Sequence, residues 1–147
     1  MGVAMLLRFE VSNFRSILDP VELSMIAVDE DRAAARGFDQ LSERVLTVGG
    51  IYGPNASGKS TVLEALAWLS FAVGASLRRW SDFVPRFPHL FGDGPERPST
   101  FEVDFEVGGV RHGYRLEVID RGVVYESLYF EPERQFEMMR REGFVIV

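Results

Sequence analysis

The feature that most constrains this chain is a glycine-rich segment at residues 53–60, which reads Gly-Pro-Asn-Ala-Ser-Gly-Lys-Ser. It matches the pattern Gly-x-x-x-x-Gly-Lys-[Ser/Thr] at every required position, and Thr61 follows it. Such a loop points successive backbone N–H groups at a dense anion, and its glycines let the backbone come close. The pattern therefore predicts a strand, a phosphate-binding loop and a helix in that order, with ATP and Mg²⁺ as ligands.

Each position of the motif has a chemical role. Lys59 supplies a mobile charge for the β- and γ-phosphates, and the hydroxyl of Ser60 is placed to coordinate Mg²⁺. The helix that follows presents its unpaired first N–H groups and its positive dipole end to the same phosphates. The predicted nucleotide-binding residues are Gly53, Asn55, Ala56, Ser57, Gly58, Lys59, Ser60 and Thr61, with Ser60 also as the metal ligand. No residue is assigned a catalytic role.

The segments on both sides of the loop have the composition that the motif requires. Residues 45–48 form a short apolar, β-branched run, which predicts a strand buried on both faces. From Lys59 the sequence indicates a helix that ends near Gly74. Its apolar stripe is predicted to contain Val62, Leu63, Leu66, Ala67, Leu69, Ser70 and Val73.

The remainder of the chain is predicted to be mainly strand. Residues 5–11 alternate between apolar and polar side chains, as in a strand with one buried face, and residues 21–28 indicate a second strand. Residues 29–44 are interpreted as mostly loop, and residues 81–100, rich in proline and glycine, as an irregular connection. Residues 101–130 predict an antiparallel meander, with a type I′ turn at Gly108-Gly109 and another turn at 120–122.

Composition narrows the classes of function. A net charge of −6 over 147 residues argues against a general nucleic-acid surface, and the arginine pairs 78–79 and 140–141 are interpreted as solvated. The absence of cysteine excludes disulfides and thiolate sites, and the two histidines have no metal-ligand spacing. The N-terminus lacks the basic region of a secretion signal, and no apolar run is long enough for a membrane span. We therefore expect a cytoplasmic protein.

Two acidic positions resemble the Asp-Glu that ends a magnesium-binding strand in such ATPases. Asp29-Glu30 follows four apolar residues but precedes the phosphate loop, whereas that strand comes after the loop, so a solvated turn is the favoured interpretation. Asp120 is weaker, because Glu117 interrupts the apolar run before it and Arg121 stands where Glu is needed.

Three segments together resemble the N-terminal lobe of ABC-type ATPase heads. They are residues 7–17, with their Asn-Phe-Arg-Ser turn, residues 53–61, and the meander at 101–130. The heads in question are those of the RecF, SMC and overcoming-lysogenisation-defect proteins. The likeness is strongest to bacterial AAA family ATPases of this ABC-like kind, which are found in phage-defence and abortive-infection systems. The resemblance covers nearly the whole chain, but only the phosphate loop is highly specific.

The resemblance implies an α/β P-loop NTPase lobe, in which N-terminal strands and an antiparallel meander flank a strand, loop and helix. We expect one lobe over residues 1–147, with strands, loop and helix in 1–80, the connection in 81–100 and the meander in 101–147. The Walker B strand, signature sequence and switch histidine of the family lie in a C-terminal lobe and are not found after residue 61, so the chain is expected to be part of a longer ATPase.

The resemblance also implies partners and further nucleotide contacts. Two heads would face each other as a homodimer to hydrolyse ATP, in DNA maintenance or phage defence, with a nuclease or toxin as a possible partner. Arg15 is a candidate phosphate contact, and a surface arginine is the equal alternative. Gln135 is a candidate magnesium-contacting glutamine, although a solvated side chain beside a turn is favoured.

Two rival functions stay open on the sequence. One is a nucleotide-binding switch that never hydrolyses its ligand, which the missing Walker B strand favours for this chain. The other is a small P-loop kinase, which the antiparallel meander fits poorly.

Overall fold

The computed structural model describes residues 4–29, 31–38, 41–80, 83–131 and 136–145, and for 75–79, 131 and 136–145 it describes the backbone alone. Within this part of the chain there are eight strands and one helix. Their bounds are β1 Met5–Ser12, β2 Val21–Ser24, β3 Ala35–Arg36, β4 Val45–Leu46, α1 Lys59–Arg79, β5 Ser99–Val107, β6 Val110–Ile119, β7 Gly122–Glu131 and β8 Phe136–Val145. The mixed α/β class agrees with the prediction.

Six of the strands form one antiparallel sheet in the order β2-β1-β5-β6-β7-β8. The predicted meander is confirmed as β5 to β7, and β8 extends it. Gly108 and Gly109 both have positive φ, at 62° and 84°, as a type I′ turn requires, so that turn is confirmed as well. The N-terminal strand β1 lies between β2 and β5, where Val11 pairs with Phe101.

The alternation predicted for β1 is confirmed, because Leu7, Phe9 and Val11 are all buried. On the opposite face of this strand, Arg8 forms ion pairs with Glu10 at 2.6 Å and Glu22 at 2.6 Å. It also pairs with Glu102 of the neighbouring strand at 2.9 Å. This arginine therefore joins the outer faces of three adjacent strands.

Strand β5 departs from simple alternation. Phe101 is buried in the core, but Val107 is exposed, while Asp104 and Glu106 on the other face are buried. Asp104 is covered because Arg111 pairs with it at 2.6 Å and the Tyr129 hydroxyl lies 3.5 Å from it. Burial, followed by the charge of Asp104, raises the pKa of Tyr129. Polar partners from neighbouring strands thus cover the face that alternation alone would leave open.

Helix α1 packs on the sheet through small and aromatic residues. Its buried residues are Val62, Ala65, Trp68, Leu69 and Ala72. The Trp68 ring stacks on Phe101 with centroids 4.6 Å apart. The predicted stripe was therefore wrong at four positions that are exposed, namely Leu63, Ala67, Ser70 and Val73. The predicted helix end was also wrong: Gly74 keeps a negative φ and the helix runs on to Arg79. A single interior glycine costs only about 1 kcal/mol, which does not end a helix held by packing.

The strand before the loop is much shorter than predicted. Strand β4 covers Val45–Leu46 alone and pairs with β3, and Val45 also bridges to Ile26. Val45 is buried, but Val48 is 69% exposed, so a strand covered on both faces was the wrong prediction. Among the described residues, no further strand lies beside 47–48 to cover it. The second predicted strand is shorter too, since β2 ends at Ser24.

The irregular connection before β5 is confirmed and is held by two polar side chains. Arg86, which is buried, pairs with Asp120 at 2.5 Å and donates to the carbonyls of Pro95 and Arg97 at 2.7 and 2.8 Å. The Asn13 amide donates to the carbonyls of Gly94 and Arg97 at 2.8 and 2.7 Å. These contacts fix the connection against the turn that follows β1.

Some predicted positions lie outside the described part of the chain. They are Glu30, Gln135 and the side chains of the arginine pairs 78–79 and 140–141. Within the described residues, no helix combines the length and apolar character that a membrane span requires.

Candidate functional site

The glycine-rich loop connects β4 to the first turn of α1. Ala56 and Gly58 have φ angles of 64° and 83°, so the backbone reverses twice before the helix begins at Lys59. Left-handed conformations next to right-handed ones turn neighbouring N–H groups toward one side, which is the geometry of an anion nest. The loop thus has the backbone form of an anion nest.

Two glycines of the motif are favoured at their positions for different geometric reasons. A Cβ on Gly53 would lie 2.7 Å from Ser57 Oγ, so a side chain there would push against the folded loop. At Gly58 the positive φ itself disfavours any residue with a Cβ. The first glycine is needed for space and the second for backbone conformation.

Lys59 closes the loop. Its Nζ donates to the carbonyl of Gly53 at 2.6 Å and to the carbonyl of Pro54, and lies 3.4 Å from Ser57 Oγ. It is the only lysine in the 147-residue sequence, all other side-chain cations of this kind being arginines. An ammonium has three donors and a compact charge, so it can exchange carbonyl oxygens for the oxygens of an anion.

A cavity of about 390 Å³ lies over this loop, lined by residues 55–61 and Ser16. The first turn of α1 forms its floor, where a helix has unpaired N–H groups and a positive dipole end. All predicted site residues except Gly53 and Arg15 line this cavity, and Gly53 binds the lysine beneath it. The arrangement favours a polyanion of small size.

Ser16 belongs to the site although sequence reasoning did not select it. Its Oγ lies 3.1 Å from Thr61 Oγ1. The turn that carries it is tightly shaped, with φ of 53° at Asn13 and 51° at Arg15. The Asn-Phe-Arg-Ser stretch contains Ser16, but the prediction from this stretch selected only the arginine as a nucleotide contact.

Arg15 lies next to the loop cavity but does not line it. Its guanidinium sits over the Phe87 ring, 4.8 Å from the centroid, and its Nε is 3.4 Å from Glu64 Oε2. It lines a second, larger cavity of about 620 Å³ formed with the connection before β5. Arg15, the candidate phosphate contact, therefore lines this neighbouring cavity and not the loop cavity.

Ser60, the predicted metal ligand, is exposed at the first turn of α1. It lines the loop cavity and also a third cavity of about 270 Å³ on the other side, with Leu23, Met25, Ile51 and Leu63 among the lining residues. An accessible hydroxyl beside Lys59 and the loop cavity fits the oxygen ligation that Mg²⁺ prefers.

Asp29 and Asp120, the two candidates for a metal-binding carboxylate, lie away from the loop cavity. Asp29 stands in an exposed turn, where its carboxylate pairs with Arg32 at 3.1 Å. Asp120 is bound to the buried Arg86 and holds the connection before β5. Neither side chain lines the loop cavity.

Comparison with known proteins gives one family. Residues 50–141, more than half of the chain, match the model of a family described as "AAA domain, putative AbiEii toxin, Type IV TA system". The match begins just before the glycine-rich loop and includes α1 and most of the meander. No curated protein and no solved structure matches the chain.

Proposed function

Since the chain belongs to this AAA-domain family of P-loop ATPases, we propose that it binds ATP with Mg²⁺ in the loop at residues 53–61. The observation that carries the proposal is the position of Lys59, whose ammonium donates to the Gly53 carbonyl within a loop of nest conformation that lines a cavity of about 390 Å³. The family match covers this loop and supports the same ligand.

Binding follows from the residues that line the cavity. The backbone N–H groups of residues 55–61 would surround the phosphates, and the Lys59 ammonium would leave the carbonyls of Gly53 and Pro54 to bind the β- and γ-oxygens. Ser60 would supply a hydroxyl ligand for Mg²⁺, and a metal held there would supply positive charge beside the β- and γ-phosphates.

Hydrolysis is proposed to require a second lobe. Ile51 and Leu63 expose apolar side chains where they line the third cavity beside Ser60. Exposed apolar side chains next to a ligand site are typical of an interaction surface. We place there the lobe that carries the Walker B, signature and switch residues, and we propose that two such heads pair on ATP.

The biological setting follows from the family description, which refers to a type IV toxin–antitoxin system. We accordingly propose a role in phage defence or a toxin–antitoxin system, with a nuclease or toxin as the coupled partner. The acidic net charge of −6 supports a protein partner over direct DNA binding by this lobe. The rival function is a switch that binds ATP without hydrolysing it. Both functions predict no turnover by this chain alone, so ATP turnover in the presence of the proposed second lobe distinguishes them.

The single lysine provides the test of ATP binding. The purified chain is treated with an amine-acylating reagent in the presence of Mg²⁺, with saturating ATP or with AMP as the matched control. Peptide mapping then separates Lys59 from the N-terminal amine, the other primary amine expected of the chain. We expect ATP, but not AMP, to slow acylation of Lys59, because only ATP carries β- and γ-phosphates. Equal acylation with and without ATP would contradict the proposed function.

A further inference from the structure

We propose that Asn13 is a positioning residue for the ATP site, a role that rests on the proposed function. Its buried side chain holds the turn at 13–16 so that Ser16 reaches Thr61 at the edge of the loop cavity. Asn13 is only 1% exposed, although asparagine is mostly a surface residue. It does not line the loop cavity, so it acts through Ser16 and not on the nucleotide itself.

The Asn13 side chain is bound at both of its polar ends. Its amide nitrogen donates to the Gly94 and Arg97 carbonyls at 2.8 and 2.7 Å, and the Pro98 carbonyl lies 3.2 Å away. Its Oδ1 accepts the His89 backbone N–H at 2.9 Å. Both N–H donors and the carbonyl oxygen of the amide are therefore in use. One buried side chain ties two stretches of the connection before β5 to the turn after β1.

The Asn13 backbone is held at the same place. Its φ is 53°, its N–H donates to the Leu18 carbonyl at 3.0 Å, and its carbonyl accepts the Ser99 hydroxyl at 2.7 Å. Left-handed backbone is adopted mainly by glycine, asparagine and aspartate. Glycine has no side chain and ionised aspartate has no donor, so asparagine alone of these three combines the backbone with both kinds of side-chain bond.

The position of Ser16 follows from this anchoring. The turn is closed by two backbone bonds, in which the Phe14 N–H donates to the Ile17 carbonyl at 2.8 Å and the Ile17 N–H donates back at 2.9 Å. Ser16 lies within this closed turn, three residues after Asn13, and its hydroxyl is 3.1 Å from Thr61 Oγ1. A shift of the turn would therefore move a hydroxyl that lines the loop cavity.

The partner of Asn13 is itself firmly held. The Arg97 carbonyl accepts from the Asn13 amide at 2.7 Å and from the guanidinium of the buried Arg86 at 2.8 Å. Asn13 thus holds the turn on a segment that a second buried side chain fixes. Between the turn and this segment lies the second cavity, an aromatic cavity because the Phe87 and Phe91 rings line it.

The test is a double-mutant cycle between Asn13 and Ser16. Calorimetric titration with ATP–Mg²⁺ measures the affinity of the wild-type chain, of Asn13→Gly, of Ser16→Ala and of the double variant. Asn13→Gly permits the left-handed backbone and removes the side chain. Gly113→Ala is the control for lowered stability, because its Cβ would meet the Tyr129 ring and Gly113 lines none of the three described cavities. Thermal unfolding establishes that each variant is folded.

We expect Asn13→Gly to weaken ATP binding by about two- to tenfold, the value of the one neutral hydrogen bond through which Asn13 acts. In the Ser16→Ala background the same substitution should add less than about twofold, because the two residues act as a unit. Gly113→Ala should bind ATP as the wild type does.

Several outcomes would overturn the positioning role. They are unchanged ATP affinity in Asn13→Gly or in Ser16→Ala, losses that multiply in the double variant, and an equal loss in Gly113→Ala. Failure of the wild-type chain to bind ATP would instead overturn the proposed function itself.

A second measurement uses the wild-type chain and does not depend on the folding of a variant. Amide hydrogen exchange is followed with and without Mg²⁺ and tripolyphosphate, which carries the phosphates alone. Because coupling between two sites is reciprocal, saturating tripolyphosphate should slow local opening at the His89 N–H, bound by Asn13, by about two- to tenfold. The control is the Val84 N–H, bound at 3.0 Å to the Asp120 carbonyl in the same connection. An unchanged rate at His89, or equal slowing at both amides, would contradict the positioning role.

Discussion

The hydroxyl of Ser16 lies 3.1 Å from the hydroxyl of Thr61, so the turn after β1 contacts the first turn of α1 across 45 residues of sequence. The same turn contacts the connection before β5 through Asn13 and Arg15. One short segment thus sets the distance between the phosphate loop and the aromatic cavity beside it.

Removal of this contact should weaken nucleotide binding modestly. Ser16→Ala deletes one neutral hydrogen bond, with a net value of about 0.5–1.5 kcal/mol, so ATP affinity should fall by roughly two- to tenfold. Calorimetric titration measures the change. Ser70→Ala is the matched control, because that hydroxyl donates within α1 to the Leu66 carbonyl, away from the loop. A loss of the same size in both variants would show that Ser16 has no specific role.

Replacement of Lys59 should have the largest effect on affinity. Lys59→Ala removes a charge-assisted contact to phosphate, for which we expect a loss of about 1.5–3 kcal/mol, or roughly ten- to hundredfold. The charge-matched control is Arg32→Ala, whose guanidinium pairs with Asp29 in an exposed turn. Titration with ATP–Mg²⁺ compares the two variants, and unchanged affinity in Lys59→Ala would remove the lysine from the site.

Metal binding by the Ser60 hydroxyl can be distinguished from a purely structural role at the start of α1. If its hydroxyl coordinates Mg²⁺, Ser60→Ala should weaken ATP binding when Mg²⁺ is present and change little with a chelator, because the loop N–H groups and Lys59 remain. Affinity is measured for wild type and variant under both conditions. An equal loss with and without Mg²⁺ would assign the hydroxyl to the structure of the helix start instead.

The chain by itself should bind ATP without turning it over. Phosphoryl transfer to water needs a group that orients the attacking water as well as charge stabilisation at the γ-phosphate. The residues that line the described loop cavity supply only the phosphate contacts. Phosphate release by the purified chain should therefore stay at the level of the Lys59→Ala variant. Phosphate release at ordinary enzyme rates would contradict this prediction and would make Asp29 and Glu30 the candidate catalytic acids.

Two glycines should respond to alanine with opposite signs. A Cβ at Gly113 would lie 2.0 Å from Tyr129 Cζ, so Gly113→Ala must displace this ring and should lower the free energy of unfolding by about 1–3 kcal/mol. At Gly74, in the exposed part of α1, nothing lies within 4 Å, and alanine should raise stability by about 0.5–1 kcal/mol. Denaturant unfolding measures both, and a stable Gly113→Ala variant would contradict the close packing of Tyr129.

The sequence by itself determined the features whose causes lie within a few neighbouring residues. In the loop at 53–60, Gly58 is favoured by its left-handed backbone conformation, and Gly53 is favoured because the Ser57 hydroxyl lies close to it. The turn at Gly108-Gly109 and the alternation of β1 are local in the same sense. The patterns for these elements could be read directly, because a turn type or a two-residue period depends on residues that adjoin in the chain.

Tertiary structure alone decided which distant segments meet. Strand β1 lies beside β5, about ninety positions along the chain, and the turn that follows β1 places Ser16 beside Thr61 of α1 and Arg15 beside Phe87 of the connection. Packing against the core also buried Ala65, together with Trp68, and left Leu63 exposed on α1. Such choices depend on the shape of the opposing surface, which no local pattern contains.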